Sequence, residues 1–481
     1  MSLRASAFNG LVWTYGQQFA TQLIQFGVSM ILSRLISPAE FGLIGMITIF
    51  ISIGNLLFDG GLTSSLIRTH KVDETDFSTV FFFNIISALL LYLILFISAP
   101  YIADFFYQNL LKTIIRIYGI VIIISSFSAV QNTKMTKELQ FKKLSLLSLP
   151  SIIVGSIVGV YMAYNNYGVW SLVGSAISST FFNSVILWLL SGWKPKLVFS
   201  VQKFKQHFFY GGKMTLAGVL DVVFTNIYQI IIGRYFSADK LGYYTRANSL
   251  MMLPVSNISS SLNKVSFPMF SKIQDEPERL RIAYKKIMLM VLFIVSPIIS
   301  IMAVLISPLT ILLFGERWLS IVPIFQILAI TGILYPLHLY NLIILQIKGE
   351  SGLFLRLEII KKILVVLILV ISFYFGFSGL LWGQVIFSFL VLFINTHYAG
   401  KILNYSFVNQ IIDILPVFLI TLIMAIILFF FDKSIDFMPL IVRIILGVFL
   451  GGSIYLFMAW KLKFESFFEL LDIFKTKILK K

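Results

Sequence analysis

Of 481 residues, 58% are apolar and 12% are charged, with a mean hydropathy of +0.93 and a net charge of +17, whereas a soluble domain runs at roughly 45–50% apolar and roughly 25% charged. Apolar runs of spanning length follow one another without the short alternating strands of a barrel, so the chain is expected to be an all-α integral membrane protein. It has no cysteine, its four histidines (His70, His207, His338, His397) lack the i, i+4 spacing of a helical metal site, and no GxxxxGK[ST] loop occurs, which argues against thiol chemistry, a bound metal or other cofactor, and ATP-driven transport by this chain alone.

In chain order, the first apolar run begins near Phe8 and passes Met30. It exceeds a signal-peptide core and no small-residue cleavage site follows, so it is expected to be retained as a span. Taking it as 8–33, further spans are expected at 42–64, 77–100, 113–131, 144–164, 168–191, 207–233, 241–262, 286–308, 320–347, 354–375, 377–398, 411–431 and 437–460, about fourteen transmembrane helices in all. With the N-terminus in the cytoplasm, Lys and Arg outnumber their counterparts outside by about threefold. That bias puts both termini in the cytoplasm and agrees with an even helix count. It also accounts for the net charge through anionic lipid headgroups, without nucleic acid. The longest loop is expected from about Ser266 to Lys285, leaving no room for a soluble catalytic domain. In the tail, Phe464, Phe467, Phe468, Leu471, Phe474 and Ile478 recur at helical spacing opposite lysines. A basic amphipathic helix lying in the membrane interface is expected there, with a partner-binding helix as the alternative.

"ILSRLISPAEFG" at 31–42 and "IIGRYFSADKLG" at 231–242 align at an offset of 200, matching Ile31, Arg34, Ser37 and Gly42 to Ile231, Arg234, Ser237 and Gly242. A weaker echo pairs "YGVWSLVG" at 167–174 with "FGFSGLLWG" at 375–383. Each motif closes the first helix of a six-helix set, so two parallel-repeat lobes are expected at 1–200 and 201–400, then two further spans at 401–460 and the tail at 461–481. Structural roles suit the motif residues: Arg snorkelling to outer headgroups, Ser capping the next helix and Gly permitting a tight entry.

Polar residues inside spans are the candidates for substrate contact. Gln18, Gln22 and Gln25 share a face of the first span, extended by Thr14. Their amides suit hydroxyl-rich ligands, with helix-to-helix hydrogen bonding as the alternative. The seventh span carries Lys213, Asp221, Thr225 and Tyr228, with Asn226 on a neighbouring face. Lys213 is a candidate for a diphosphate or acidic-sugar contact or a snorkelling lysine, and Asp221 for a cation partner or a protonation switch. Asp59 reads as a local cap or an ion ligand, and Arg116 as an interfacial anchor or a phosphate contact. In the tenth span Pro336, His338, Tyr340 and Asn341 cluster where a proline can kink the helix for gating or simply pack.

The stretches "LSRLISPAEFGLIGM" (32–46), "FDGGLTSSLIR" (58–68), the block from 230 to 280 that opens "IIIGRYFSADKLGYYTRANS", and "LLFGERW" (312–318) resemble the polysaccharide-exporting, Wzx-like branch of the multidrug/oligosaccharidyl-lipid/polysaccharide (MOP) flippase superfamily. Within it they are most similar to the exopolysaccharide and teichuronic-acid subgroup. The resemblance implies two six-helix lobes plus two helices, a central cavity, and alternating access carrying an oligosaccharide linked to undecaprenyl diphosphate across the cytoplasmic membrane. It implies membrane lipids as surroundings, a polysaccharide polymerase and assembly proteins as partners, and no covalent chemistry. Related sequences often read Asn-x-Asp before Ile-Gly-Arg, where this chain has Asn226-Ile227-Tyr228, so an ion role for that carboxylate does not carry over. Three other readings compete. A drug exporter of the superfamily would favour acidic cavity residues, a membrane polymerase would want a sizeable outer loop with paired carboxylates, and an assembly scaffold would need no moving lobes.

Overall fold

The computed structural model describes residues 3–477, without the side chains of residues 3–15, 473, 474, 476 and 477. Thr14 and Phe474 as side chains, and Ile478 altogether, lie outside the described residues. No strand occurs among those residues. The helices are α1 (Leu3–Leu35), α2 (Pro38–Asp59), α3 (Leu62–Arg68), α4 (Glu74–Phe105), α5 (Asn109–Tyr118), α6 (Ile120–Lys137), α7 (Phe141–Tyr164), α8 (Val169–Leu190), α9 (Val201–Thr225), α10 (Ile227–Tyr235), α11 (Ala238–Lys272), α12 (Pro277–Val304), α13 (Ile306–Phe314), α14 (Ile321–Ile347), α15 (Ser351–Phe373), α16 (Gly376–Leu403), α17 (Phe407–Ser434), α18 (Leu440–Lys461) and α19 (Glu465–Lys477).

Ten of the described helical stretches are long and apolar enough to cross a membrane, or eleven if the bent pair α9 and α10 forms one span. The chain is a multi-pass membrane protein. The difference from fourteen lies in α1, α11 and α15, which are long but polar: four glutamines interrupt α1, serines and asparagines interrupt α11, and Arg356, Glu358, Lys361 and Lys362 stand in α15.

Two local departures have physical causes. The seventh span is not continuous but turns by 49° between α9 and α10. Asn226 sits at the break with φ −103° and ψ 9°, and its side-chain amide donates to the Val222 carbonyl at 2.8 Å, a local bond that competes with the helix ladder. The long loop expected at Ser266–Lys285 is largely helix, since α11 runs through Pro254 and Pro268 to Lys272 and α12 begins at Pro277. Proline at the first position of α12 is pre-set for helix and gives up an N–H that would be unpaired there anyway.

The chain divides into two compact units, residues 1–242 and 243–481. The first has a core cluster of Leu62, Leu66, Phe77, Val80, Phe81, Val130 and Trp193, and the second one of Phe293, Leu305, Ile420, Met424, Leu428, Tyr455 and Ala459. In unit 1, α7 and α8 approach closely because Gly155 and Gly159 face Ser175 and Ser179, the small-residue packing that membrane helices use in place of a hydrophobic drive.

The two copies of the repeated motif meet. Ser37 and Glu40 form a reciprocal capping box at the start of α2, with Ser37 N–H donating to Glu40 at 2.9 Å, and Ser237 accepts from Lys240 N–H at 3.2 Å at the start of α11. A methyl group at Gly42 would collide with the Ala238 carbonyl, and one at Gly242 with the Pro38 carbonyl. Position 38 thus lies against 242 as 238 lies against 42. The motif arginine of the second copy does more than reach outward: Arg234 lies over the Tyr107 ring at 4.1 Å, donates to Tyr107 Oη at 3.0 Å and also bonds the Phe105 carbonyl.

Candidate functional site

Unit 1 contains a cavity of about 460 Å³ between α2, α6, α7 and α8. Nine of its twelve lining residues are polar and none is charged. Helix α6 contributes Ser125, Ser128 and Asn132, α7 contributes Ser148 and Ser151, and α8 contributes Ser179, Thr180 and Asn183. Asn55 closes the wall from α2, and Phe58, Ala129 and Ile152 supply an apolar floor. These positions recur three or four residues apart on their helices, which stacks them on one face.

The hydrogen bonding of the wall decides what it offers. Ser128 donates to the Ser125 carbonyl at 3.2 Å, Ser148 to the Ser145 carbonyl at 3.1 Å and Thr180 to the Ala176 carbonyl at 2.8 Å. Hydroxyls spent in this way present oxygen lone pairs to the cavity. Ser151, 1% exposed, has an Oγ without a protein partner, as has Asn55 Oδ1. Behind the wall Gln17 of α1 donates to Ser148 Oγ at 2.5 Å and accepts from Ser145 Oγ at 2.7 Å, fixing α1 to α7.

None of the expected site residues lines this cavity. On α1, Gln18 and Gln25 are exposed and Gln22 is half-buried, while the neighbouring Gln17 is the one turned to α7. On α9, Lys213 and Asp221 are both exposed, and about 12 Å of helical rise separates them. Asn226 is half-buried at the helix break and Tyr228 is buried in α10. Asp59 accepts from Thr63 Oγ1 at 2.8 Å and from its backbone N–H at 3.3 Å at the α2–α3 turn. Arg116 lies over the Phe96 ring at 4.2 Å and donates through Nε to the Phe96 carbonyl at 3.3 Å. In unit 2, His338 pairs with Ser388 at 2.9 Å, and Asn341 accepts from Tyr284 Oη at 2.9 Å.

A second group of polar residues was not legible locally. At the start of α4, Asp76 Oδ2 accepts from Lys203 Nζ at 2.8 Å, Asp76 Oδ1 faces His207 Nε2 at 3.2 Å, and His207 Nδ1 lies 2.8 Å from Ser65 Oγ. The order Ser, His, Asp suggests a nucleophile, but His207 is fully buried and none of the three residues lines the cavity, so the group is structural. The group instead ties α9 to α3 and α4, where Gly61 and Gly211 bring the backbones so close that a methyl on either would collide with the other segment. Asp73, in the turn before α4, pairs with Lys203 at 2.6 Å, and the hydrogen bond from Lys203 holds its carboxyl down at about 2.

The pattern of the family described as "polysaccharide biosynthesis protein" matches residues 31–323. The chain is 26% identical over 96% of its length to the teichuronic acid biosynthesis protein TuaB of Bacillus subtilis (strain 168), covering 96% of that protein. It is also 26% identical over 69% of its length to the lipopolysaccharide biosynthesis protein WzxC of Escherichia coli (strain K12), covering 68% of it. In fold it is similar to a solved structure of the lipid II flippase MurJ in an inward closed conformation, with a TM-score of 0.74 at 13% identity over 94% of this chain and 99% of that one. These relatives agree with the resemblance carried by the motifs around Ser37 and Ser237. With more than half of its length matched by that pattern, the chain belongs to the polysaccharide biosynthesis protein family.

Proposed function

We propose that the protein is a flippase that moves oligosaccharide repeat units linked to undecaprenyl diphosphate across the cytoplasmic membrane for cell-surface polysaccharide synthesis. The observation that carries this is a charge-free polar cavity inside an apolar helical shell, in a chain whose likeness to a lipid II flippase covers 94% of its length. A glycan cannot cross lipid with its hydroxyls unpaired, whereas a polyprenyl tail can stay in the lipid. The reading takes fourteen spans, two like-oriented lobes at 1–200 and 201–400 working by alternating access, helices 401–460 outside the repeat, and a tail anchored in the interface. Both termini are cytoplasmic, as the Lys and Arg asymmetry supports. Exposed Gln18, Gln25, Lys213 and Asp221, with Gln22 and Asn226, are substrate contacts, and Lys213 takes the diphosphate or an acidic sugar. The protein performs no covalent step and needs no cofactor, and a polymerase and assembly proteins receive its product.

A deletion strain tests this. Loss of surface polysaccharide with accumulation of the lipid-linked repeat unit at the inner leaflet is the expected result. Unaltered polysaccharide with no accumulation overturns the proposal.

A further inference from the structure

We infer that the cavity of unit 1 is a subsite for an uncharged sugar residue of the transported glycan, separate from whatever holds the diphosphate. This rests on the reading of the chain as a flippase of carrier-linked glycans. Three features of the wall select the ligand. It contains no charged residue, so a phosphate or an ammonium would enter without a counter-charge, at a desolvation cost that nothing in the wall offsets. Its amides, Asn55, Asn132 and Asn183, both donate and accept, while serine and threonine oxygens whose protons go to backbone carbonyls can only accept there. A sugar ring carries several hydroxyls, each a donor and an acceptor, which is the complement of such a wall. Phe58, 5% exposed, with Ala129 and Ile152 gives an apolar patch against which the C–H face of a ring can lie. The volume, about 460 Å³, falls within the range of roughly 300–1,000 Å³ found for small-ligand sites.

The most buried residue of the wall gives the independent sign of a ligand. Ser151 Oγ is buried and has no protein partner, although helix geometry leaves the hydroxyl free to bond the carbonyl one turn back, as Ser156 does to Ile152 at 2.7 Å. Eight of the nine polar wall residues are Ser or Asn, and mid-membrane helices hold such residues cheaply only where they find partners. Position along the helices adds a level. Ser151 lies ten residues into α7 and Asn55 four residues before the end of α2, so the cavity sits about 6–15 Å from one end of the bundle. With the N-terminus in the cytoplasm this is the inner half of the membrane, where a carrier-linked glycan is loaded.

Because the chain has no cysteine, single cysteines report on the cavity directly. Asn132→Cys and Asn183→Cys, both half-buried wall positions, with Ile157→Cys on the 63% exposed face of α7 as the lipid-side control, are placed in the full-length protein in lipid vesicles. They are treated with a small membrane-permeant methanethiosulfonate, alone and with two probes. One is undecaprenyl diphosphate, and the other is the carrier bearing its repeat unit, extracted from the deletion strain. The expected result is reaction at 132 and 183 but not 157, and protection by the glycan-bearing carrier but not by bare undecaprenyl diphosphate. Asn55→Leu with Asn183→Leu is expected to weaken binding of the loaded carrier about tenfold and leave bare-carrier binding unchanged, the order set by losing two side-chain hydrogen bonds. No reaction at 132 and 183, or equal protection by both probes, overturns the subsite. If the loaded carrier binds the unsubstituted protein without protecting either cysteine, the subsite alone fails. If it does not bind at all, the flippase reading fails with it.

Discussion

Replacing Asp76 with alanine measures how much the buried group at the start of α4 contributes to unit 1. Asp76 is 5% exposed and its carboxylate does three things: it accepts from Lys203 at 2.8 Å, faces His207 Nε2 at 3.2 Å, and accepts from the Asp73 backbone N–H at 2.9 Å to close a capping box. Removing the capping acceptor costs about 1 kcal/mol. Leaving a fully buried imidazole nitrogen unpaired costs about 1–3 kcal/mol. Lys203 keeps Asp73 at 2.6 Å, a pair with one largely exposed partner, so its share is about 0–1 kcal/mol. The sum is about 3 kcal/mol, which for a unit of 242 residues, at about 2–4 °C per kcal/mol, lowers the melting temperature by about 6–12 °C. The assay is heating of the purified full chain followed by size-exclusion chromatography of what remains monodisperse. Asp76→Ala combined with His207→Ala is expected to cost less than the two singles together, because they share one bond. A melting temperature within about 1 °C of the unsubstituted protein for Asp76→Ala, when one kcal/mol is worth about 2–4 °C, refutes the assignment, and so does strict additivity of the double variant.

The Asp73–Lys203 pair sets a pH dependence. Because the folded carboxyl titrates at about 2 against an ordinary value of 3.8, the pair contributes fully above the ordinary value and is lost as pH falls towards about 2. Asp73→Asn is therefore expected to cost the same between about pH 5 and pH 8 and only a small part of that near pH 2, and a cost that grows across the neutral range counts against the pairing. In unit 2, Arg443 on α18 grips Asp432 on α17 through two bonds of 2.8 and 2.7 Å, both side chains being largely buried. Asp432→Ala is expected to cost about 3 kcal/mol and the double variant with Arg443→Ala less than that single, since the stranded charge is then gone. A double-mutant cycle on melting temperature checks this, and additive losses would show that the pair is not coupled.

The apolar runs made the helices legible because lipid forces backbone satisfaction inside each span. What the runs could not show was where a span stops being straight. Asn226 looked like one more polar side chain, and only its bond to the Val222 carbonyl identifies the break between α9 and α10. The loop expected from about Ser266 begins instead as helix, since α11 continues through Pro268 to Lys272. For the candidate site, the sequence points to Gln18, Gln22, Gln25, Lys213 and Asp221, because each is expensive in lipid alone. The cavity wall is built instead from short ones, such as Ser125, Ser128 and Asn132 at i, i+3 and i+7 of α6. That spacing was available in the sequence, but a serine can satisfy itself on its own helix, so its presence alone carries little information. Asp76 and His207 lie 131 positions apart and share no local pattern, and their meeting depends on Gly61 and Gly211 letting two backbones touch.

The contact between the two copies of the repeated motif has the form of a homodimer interface within one chain. In a two-fold homodimer a surface meets its own image, so one sequence must serve both sides at once. Here Gly42 against Ala238 and Gly242 against Pro38 keep that self-matching, while the residues around them have been free to part ways. Glu40 closes its capping box and accepts from the Val169 N–H at 2.9 Å, and the equivalent place is held by Lys240, over the Phe236 ring at 5.3 Å. A bulky residue at either glycine pries open the same junction, so the two positions are interchangeable in what they break. The charges at 40 and 240 are not interchangeable: exchanging them takes from the first copy both its capping-box carboxylate and the acceptor for the Val169 N–H.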